Sequence, residues 1–446
     1  MHVRNWTQGI TFKAMGVGLL ALLMLIPLLQ VQDLIGERQG LQNEAQLKIA
    51  ERWGGRQIVG GPVLIVPVRK AMQGEKGWIS TDELRYVLPE TLQVKGSLLT
   101  EIRRYGIYAT PIYTATLGVS GQFRHDALAA LANQGGEPQW DRAVLRVPLA
   151  DVRGIRSLSA LRIDGVDVLF GPGSGGIGGL SATEIAWPID PHDTGATRDF
   201  SFDMRLAGTA ALSFLPLARN TDVSLGGSWP DPGFAGAFLP ESHAEKAAGF
   251  DAYWQVLDLN RSYGQQGTIA ELEALAVQQS AFGVELYQPV GTYQRNERAG
   301  KYGILFIALS FVALFLFEAL GRWRVHPVQY LMVGLALCTF YVLLLALSEQ
   351  IGFAWAYAVA AAAVVAIIAG YAAAAARSRQ AGATLGSLLV VVYALLYGLV
   401  ISEQYSLLMG ALALLAAIAV LMYLTRRIDW YGLGSEAAVP TGRMPS

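Results

Sequence analysis

The sequence predicts an α+β membrane protein: a six-helix transmembrane bundle, one span at the amino terminus and five at the carboxyl terminus, around a large extracytoplasmic, mainly-β, sandwich-like domain. Three observations predict it. Residues 302–425 contain neither Lys nor Asp and divide into five apolar runs of about 20 residues, the length that crosses a hydrocarbon core about 30 Å thick. A further apolar run, residues 14–31, lies near the start of the chain. Between the two, the pattern changes to short alternating stretches separated by Gly, Pro, Asn and Asp, as strands and their turns require.

The carboxyl-terminal runs are residues 302–320, 328–347, 353–376, 383–401 and 405–425. Helices are the reading, because an open strand leaves its backbone polar groups unpaired in lipid. Arg322 and Arg324, then Arg377 and Arg379, then Arg426 and Arg427 follow alternate runs, whereas the turns Ser348-Glu349-Gln350 and Ser402-Glu403-Gln404 carry no positive charge. Positive loops stay cytoplasmic, so the block is expected to enter from outside and end inside. At the amino terminus, Arg4 and Lys13 precede the first run and no small-x-small cleavage site follows it, which favours a retained anchor over a signal peptide. The expected segments are 1–31 (cytoplasmic end and first span), 32–53 (helical extension), 54–300 (periplasmic β domain), 301–427 (five-helix block) and 428–446 (cytoplasmic tail). Both termini are then cytoplasmic.

Residues 32–301 hold 25 Lys and Arg against 30 Asp and Glu, a net of −5. That balance argues against a nucleic-acid partner. The single cysteine, Cys338, lies within an apolar run, so disulfides and Cys-built metal sites are excluded. Strands are expected at 63–68, 84–88, 92–100, 107–123, 143–149, 161–170, 200–207, 210–216 and 222–225, with short helices at 126–132 and 270–279.

No catalytic constellation is evident, and no cofactor or metal is expected. Residues 171–179, Gly-Pro-Gly-Ser-Gly-Gly-Ile-Gly-Gly, lack the closing Gly-Lys-Ser/Thr of a phosphate loop and read as a flexible inter-strand loop. The five histidines show no metal-ligand spacing. Candidate membrane-interface charges are Glu318, Arg322, Glu349 and Glu403. Glu318 stands four residues before Arg322, the spacing of a helical ion pair, although an intramembrane acid is also a functional candidate. The stretch from Trp229 through Phe234 to Phe238 is rich in aromatics and proline and reads as an ordered irregular loop. Its three aromatics are candidates for an interaction surface, for headgroup contact or for packing on the sandwich.

The chain resembles the CreD family of bacterial inner-membrane proteins over nearly its whole length. The resemblance rests on Leu64-Ile65-Val66-Pro67-Val68, on Arg104-Tyr105-Gly106-Ile107-Tyr108 with Tyr113 and Leu117, and on Asp151-Val152-Arg153-Gly154. It also rests on Ser228-Trp229-Pro230 with Phe238-Leu239-Pro240, and on Phe317-Glu318 and His326-Pro327-Val328-Gln329-Tyr330-Leu331. Ser348-Glu349-Gln350-Ile351-Gly352-Phe353 and Arg427-Ile428-Asp429-Trp430-Tyr431 complete it. It implies an inner-membrane protein tied to cell-envelope integrity, to the regulon of a sensor kinase and response regulator, and to β-lactam tolerance. It implies no active site. The expected partners are the lipid bilayer and envelope proteins or lipids; the competing class is a transporter or lipid-handling protein whose β domain receives cargo.

Overall fold

The computed structural model describes residues 10–74, 77–132, 135–190, 197–246, 248–287, 291–321, 325–402 and 405–426. The chain forms two compact units, one of Met1–Leu41 with Val290–Ser446 and one of Gln42–Pro289. Nine α-helices occur among the described residues: α1 (Ile10–Leu23), α2 (Leu25–Trp53), α3 (His125–Ala132), α4 (Ile269–Ala274), α5 (Thr292–Gly321), α6 (Pro327–Ile351), α7 (Phe353–Ala375), α8 (Arg379–Ile401) and α9 (Ser406–Thr425). Five helical segments are long and apolar enough to cross a membrane: Lys13–Trp53, Thr292–Phe315, Pro327–Ile351, Phe353–Ala375 and Arg379–Ile401. The helix α9 is not among these five; its described apolar stretch is the shorter Leu408–Val420.

The break between α1 and α2 falls at Met24. Pro27 has no N–H, so the Leu23 carbonyl four residues earlier loses its helical partner. The two pieces nevertheless present one seam: Met24, Leu28, Val31 and Ile35 are buried, while Met15, Leu19, Leu22, Ile26 and Leu29 are exposed. Spacings of four, three and four keep the buried set on one helical face.

That seam fits because two glycines make room for it. A Cβ on Gly303 of α5 would stand 2.9 Å from Leu28 Cδ1, and one on Gly334 of α6 would stand 2.7 Å from Met24 Sδ. The same device joins α7 to α8. Gly382 and Gly386 lie one turn apart, and a Cβ at Gly382 would meet the Ala369 carbonyl oxygen at 2.5 Å. In lipid, where apolar surface gains little by pairing, such close approach is what holds helices together.

The second unit is built of two sheets that share one core. One sheet orders its strands Pro232–Gly236, Phe282–Leu286, Ala211–Phe214, Gln57–Val59, Val144–Leu149, Val63–Gly74, Gly77–Val87 and Gln266–Thr268. The other runs Val166–Val168, Leu161–Ile163, Thr197–Thr209, Tyr108–Arg124, Thr91–Tyr105, Asn220–Gly227, Gly249–Leu257 and Ser242–Lys246. Leu64, Val66, Val147, Leu149 and Phe282 of the first pack with Leu117, Phe202, Met204, Val223 and Trp254 of the second. The architecture is therefore sandwich-like. Strand Val63–Gly74 also buries its other face, Val63 and Ile65 joining Tyr263, Leu272 and Val277 in a second cluster. Burial on both faces explains why that run reads as continuous rather than alternating.

Several expectations need correction. The run 161–170 is two strands, Leu161–Ile163 and Val166–Val168, turned by Asp164 (φ 48°) and Gly165 (φ 83°), the positive-φ pair of a tight hairpin. The aromatic-proline stretch is not irregular throughout. Pro232–Gly236 is a strand at the sheet edge, paired on Phe282–Leu286, and Pro is tolerated there because an edge residue needs no second partner. Strand Gly249–Leu257 lies outside the expected set, although Phe250, Ala252, Trp254 and Val256 alternate cleanly into the core. Nor are residues 171–179 a loose connector. They wrap a side chain, Arg146, as described below.

Gly382→Val should lower the thermal stability of the purified protein in detergent by about 1–3 kcal/mol, the ordinary cost of overpacking. Gly370→Val, where a Cβ meets nothing within 4 Å, is the control. Equal melting of the two variants would mean that the α7–α8 contact does not depend on close approach.

Candidate functional site: polar clusters of the helical unit

Two polar clusters lie where the amino-terminal helices meet α5 and α6, one involving α1 and the other α2. In the first, Glu318, near the end of α5, is 7% exposed. It forms an ion pair with Lys13 of α1, accepts a 2.9 Å hydrogen bond from the Val325 N–H on Oε1, and accepts a 2.8 Å bond from the Tyr330 hydroxyl on Oε2. Both oxygens are therefore engaged, which a buried carboxylate requires. The pairing partner comes from 305 residues away in sequence, whereas helical spacing pointed to Arg322 one turn on. Arg322 itself lies outside the described residues, as does Glu403.

The loop that brings Tyr330 to Glu318 is built locally. His326 caps α6: its Nδ1 accepts from the Val328 N–H at 3.3 Å, and its own N–H donates to Gln329 Oε1 at 2.9 Å. Pro327 opens the helix where a missing N–H costs nothing. This accounts for His326-Pro327-Val328-Gln329-Tyr330 as a unit: cap, first helical residue, reciprocal cap and carboxylate donor.

The second cluster sits where α5 begins and α6 ends. Glu349 Oε1 accepts a 2.8 Å bond from the Tyr293 hydroxyl and lies 4.0 Å from Arg38 Nε of α2. Beside it, Asn296 Nδ2 donates to the Thr292 carbonyl at 2.8 Å and to Ser348 Oγ at 2.9 Å. The Ser348 hydroxyl donates in turn to the Leu345 carbonyl. Tyr293 and Glu318 stand 25 residues apart on α5, about 37 Å at helical rise. That exceeds the hydrocarbon core but not the bilayer with its headgroup layers.

The aromatic candidates belong to the other unit. Trp229 Nε1 donates to the Tyr287 carbonyl at 3.0 Å. Phe234 lies edge-on to Phe250 and Trp254, and Phe238 edge-on to Phe282 at 5.8 Å. All three are half-buried against the core. The three rings pack on the core with part of each side chain still exposed; Leu239 beside them is exposed.

Two further constructions in this unit account for glycines and charges. Asp151 accepts from the Gly55 N–H, from the Arg153 N–H and from both arms of the Arg153 guanidinium. Arg153, chiefly, holds its carboxyl below the usual range. Gln57, fully buried, donates to the carbonyls of Asp151 and Ala207, and its Oε1 accepts from the Asp151 N–H. A Cβ on Gly154 would stand 2.3 Å from Gln57 Nε2. Asp151-Val152-Arg153-Gly154 is thus the brace at the point where α2 gives way to the first strand. Sequence reasoning passed over Gln57, and a lone Gln before an apolar pair carries no signal.

In the second construction, the Arg146 guanidinium binds Glu184 at 2.7 Å and Ser174 at 2.9 Å, with Gly175 packed on its face. Burial pushes the Glu184 carboxyl up, but Arg146 and Ser174 outweigh it and the net direction is down. An open cleft of ≈ 520 Å³ adjoins this loop, lined by Glu83, Leu84, Ile269 and Glu273 among others. Among the described residues, no group of three His, Cys, Asp or Glu could hold a metal ion.

Lys13→Met and Glu318→Gln should each destabilise the protein by about 1–3 kcal/mol, and the double variant should cost clearly less than the two together. Additive losses in thermal unfolding would show that the two residues do not act as a pair. For the aromatic loop, Phe234→Ala should cost about 2–3 kcal/mol and lower abundance, while Leu239→Ser should leave both unchanged. The reverse order would restore the contact-surface reading.

The comparisons with known proteins agree with this architecture. The family model described as inner membrane protein CreD matches residues 9–431. The chain is 33% identical over 422 residues to the inner membrane protein CreD of Escherichia coli (strain K12), covering 92% of this chain and 91% of that one. Among solved structures, a zinc metallopeptidase of the M1 class from Deinococcus radiodurans aligns over 38% of this chain and 39% of its own. The TM-score is 0.20 at 12% identity, a likeness that carries no argument. With its family model covering both the helical and the β unit, the chain belongs to the CreD family of inner membrane proteins.

Proposed function

We propose that this protein acts non-enzymatically in cell-envelope integrity, as a six-span inner-membrane protein with the β unit on the periplasmic side and both termini in the cytoplasm. The observation that carries the orientation is the alternation of charge. Arg377 and Arg379 flank the α7–α8 turn, whereas Glu349 ends α6 before the α6–α7 turn. In this reading α9 is the sixth span and 54–300 the exported part. A place in a two-component regulon and an effect on β-lactam and detergent tolerance follow from the family resemblance.

The competing reading is a transporter or lipid-handling protein. What favours it is the buried Lys13–Glu318 pair, since ionisable groups in membrane segments often mark a pathway. Against it stand the unbroken helices α5 to α8, because transport sites are usually framed by interrupted ones, and the engagement of both Glu318 oxygens by Lys13, Val325 and Tyr330.

Orientation is tested by single-cysteine labelling in a Cys338→Ala background. Gln350→Cys should react with an impermeant maleimide in intact spheroplasts, and Gln380→Cys only after permeabilisation. The opposite pattern would overturn the topology and the periplasmic placement of the β unit with it. Deletion of the gene should then raise sensitivity to detergent or cell-wall antibiotics; unchanged sensitivity would remove the envelope role.

A further inference from the structure

The second sheet of the β unit carries a trough on its solvent face. Along Thr91–Tyr105, Asn220–Gly227 and Gly249–Leu257, one set of side chains, with Val94, Val223, Leu225 and Trp254 among them, enters the core. The opposite set faces out and stands in register across the strands. Lys95, Ser224, Tyr253 and Ser242 form one row, and Ser97, Gly226, Asp251 and Ala244 form the next. Long side chains therefore flank short ones: Lys95 on one side, Tyr253 and Asp251 on the other, with Ser224 and Gly226 between. The flanking strands are two spacings apart, about 9–10 Å, and the open groove along them has a volume of ≈ 490 Å³. A Cβ on Gly226 would stand 2.9 Å from Asp251 Oδ1, so the glycine keeps the floor clear where that carboxylate leans over it.

One wall of the trough is fixed. The Tyr253 hydroxyl donates to Asp222 Oδ1 at 2.7 Å, and Gln255 Nε2 donates to the same oxygen at 3.2 Å. Asp222 belongs to the neighbouring strand, opposite Gln255, so the ring leans across the sheet, with part of its surface exposed. The charges around it balance. Asp251 is ion-paired with Lys246, and Asp222 stands diagonal to Lys95 across the strand pair. A charged ligand finds no net counter-charge there. What the groove offers is an aromatic surface with donors and acceptors set side by side. A pyranose ring matches that combination: its C–H face suits the electron-rich face of an aromatic ring, and each hydroxyl on its rim both donates and accepts.

We propose that this trough binds a neutral linear oligosaccharide, with one pyranose ring stacked on Tyr253 and its hydroxyls bonded to Asp251, Ser224 and Lys95. The groove is open rather than enclosed, which admits a chain that continues beyond the stacked ring. Hydrogen bonds from sugar hydroxyls to the Asp251 carboxylate and from the Lys95 ammonium are charge-assisted and so are the strong members of their class. The site lies wholly within the β unit and depends on no assignment of membrane side.

The test uses the full-length protein in a detergent without a sugar headgroup, lauryldimethylamine oxide, with saturation-transfer NMR reading bound saccharide. Chitotetraose, cellotetraose and maltotetraose are titrated separately, and at least one should bind with a millimolar or tighter Kd. Tyr253→Ala should weaken that binding about tenfold, the scale of one lost aromatic contact. Tyr253→Phe, which keeps the ring, should retain most of it. Ser224→Leu, at an exposed position, should weaken binding as strongly as Tyr253→Ala by filling the floor. Tyr287→Ala removes an exposed tyrosine elsewhere in the unit and should change nothing. Circular dichroism establishes that each variant is folded, and Ser224→Leu decides the matter if Tyr253→Ala is not. Failure of all three saccharides to bind would overturn the proposal, as would binding undiminished in folded Tyr253→Ala or Ser224→Leu. Tighter binding of tetragalacturonate than of every neutral tetrasaccharide would overturn the assignment of a neutral ligand.

Discussion

Everything in the helical unit depends on how closely the amino-terminal helices approach α5 and α6. Water supplies no hydrophobic drive there, so contact must come from shape and from polar groups that lipid cannot satisfy. Gly303 and Gly334 supply the shape, by accepting Leu28 and Met24 at distances that a methyl group would forbid. Lys13 with Glu318 and Arg38 with Glu349 bring opposite charges together near the two ends. The combination sets register as well as affinity. A slide of α1 and α2 together by one turn would lift Leu28 off Gly303 and part both ion pairs at once.

The β unit solves a different problem. It holds no cysteine, so cohesion comes from apolar burial between two sheets and from a few buried polar side chains that tie segments together. Gln57 shows how demanding that is. It lies in a three-residue strand with one sheet neighbour parallel and the other antiparallel, and its amide ties two further segments by their backbones. Removing it would orphan the carbonyls it serves, which costs more than a lost surface bond. Asp151 and Gly154 exist in this arrangement for the same reason: one supplies the backbone that Gln57 reads, the other the space.

Much of this was legible in the sequence because the signals were local. Apolar runs of membrane length, the spacing of residues 113–119 and the Gly-Pro boundary before residue 63 are each visible within one element. The Gly249–Leu257 strand was equally visible in principle, since Phe250, Ala252, Trp254 and Val256 alternate with Asp251, Tyr253 and Gln255. Pro232–Gly236 was misread because proline argues against a strand in general, and only the tertiary fold says which strand is at an edge. What no local pattern contains is pairing at a distance. Glu318 has a neighbour four residues on, Arg322, that lies outside the described residues, and a partner 305 residues away, Lys13. The wrapping of residues 171–179 on Arg146 depends likewise on a strand that begins some 25 residues earlier.

That difference also decides where function is best sought. An intramembrane acid attracts attention because its burial is costly, but cost alone does not separate a strut from a site. Glu318 has its charge balanced by Lys13 and both oxygens bonded; nothing is left over for a ligand. Glu349, by contrast, is partly exposed and uses one oxygen in its bond from Tyr293, so the presence of a carboxylate near a helix end does not by itself rank the two clusters.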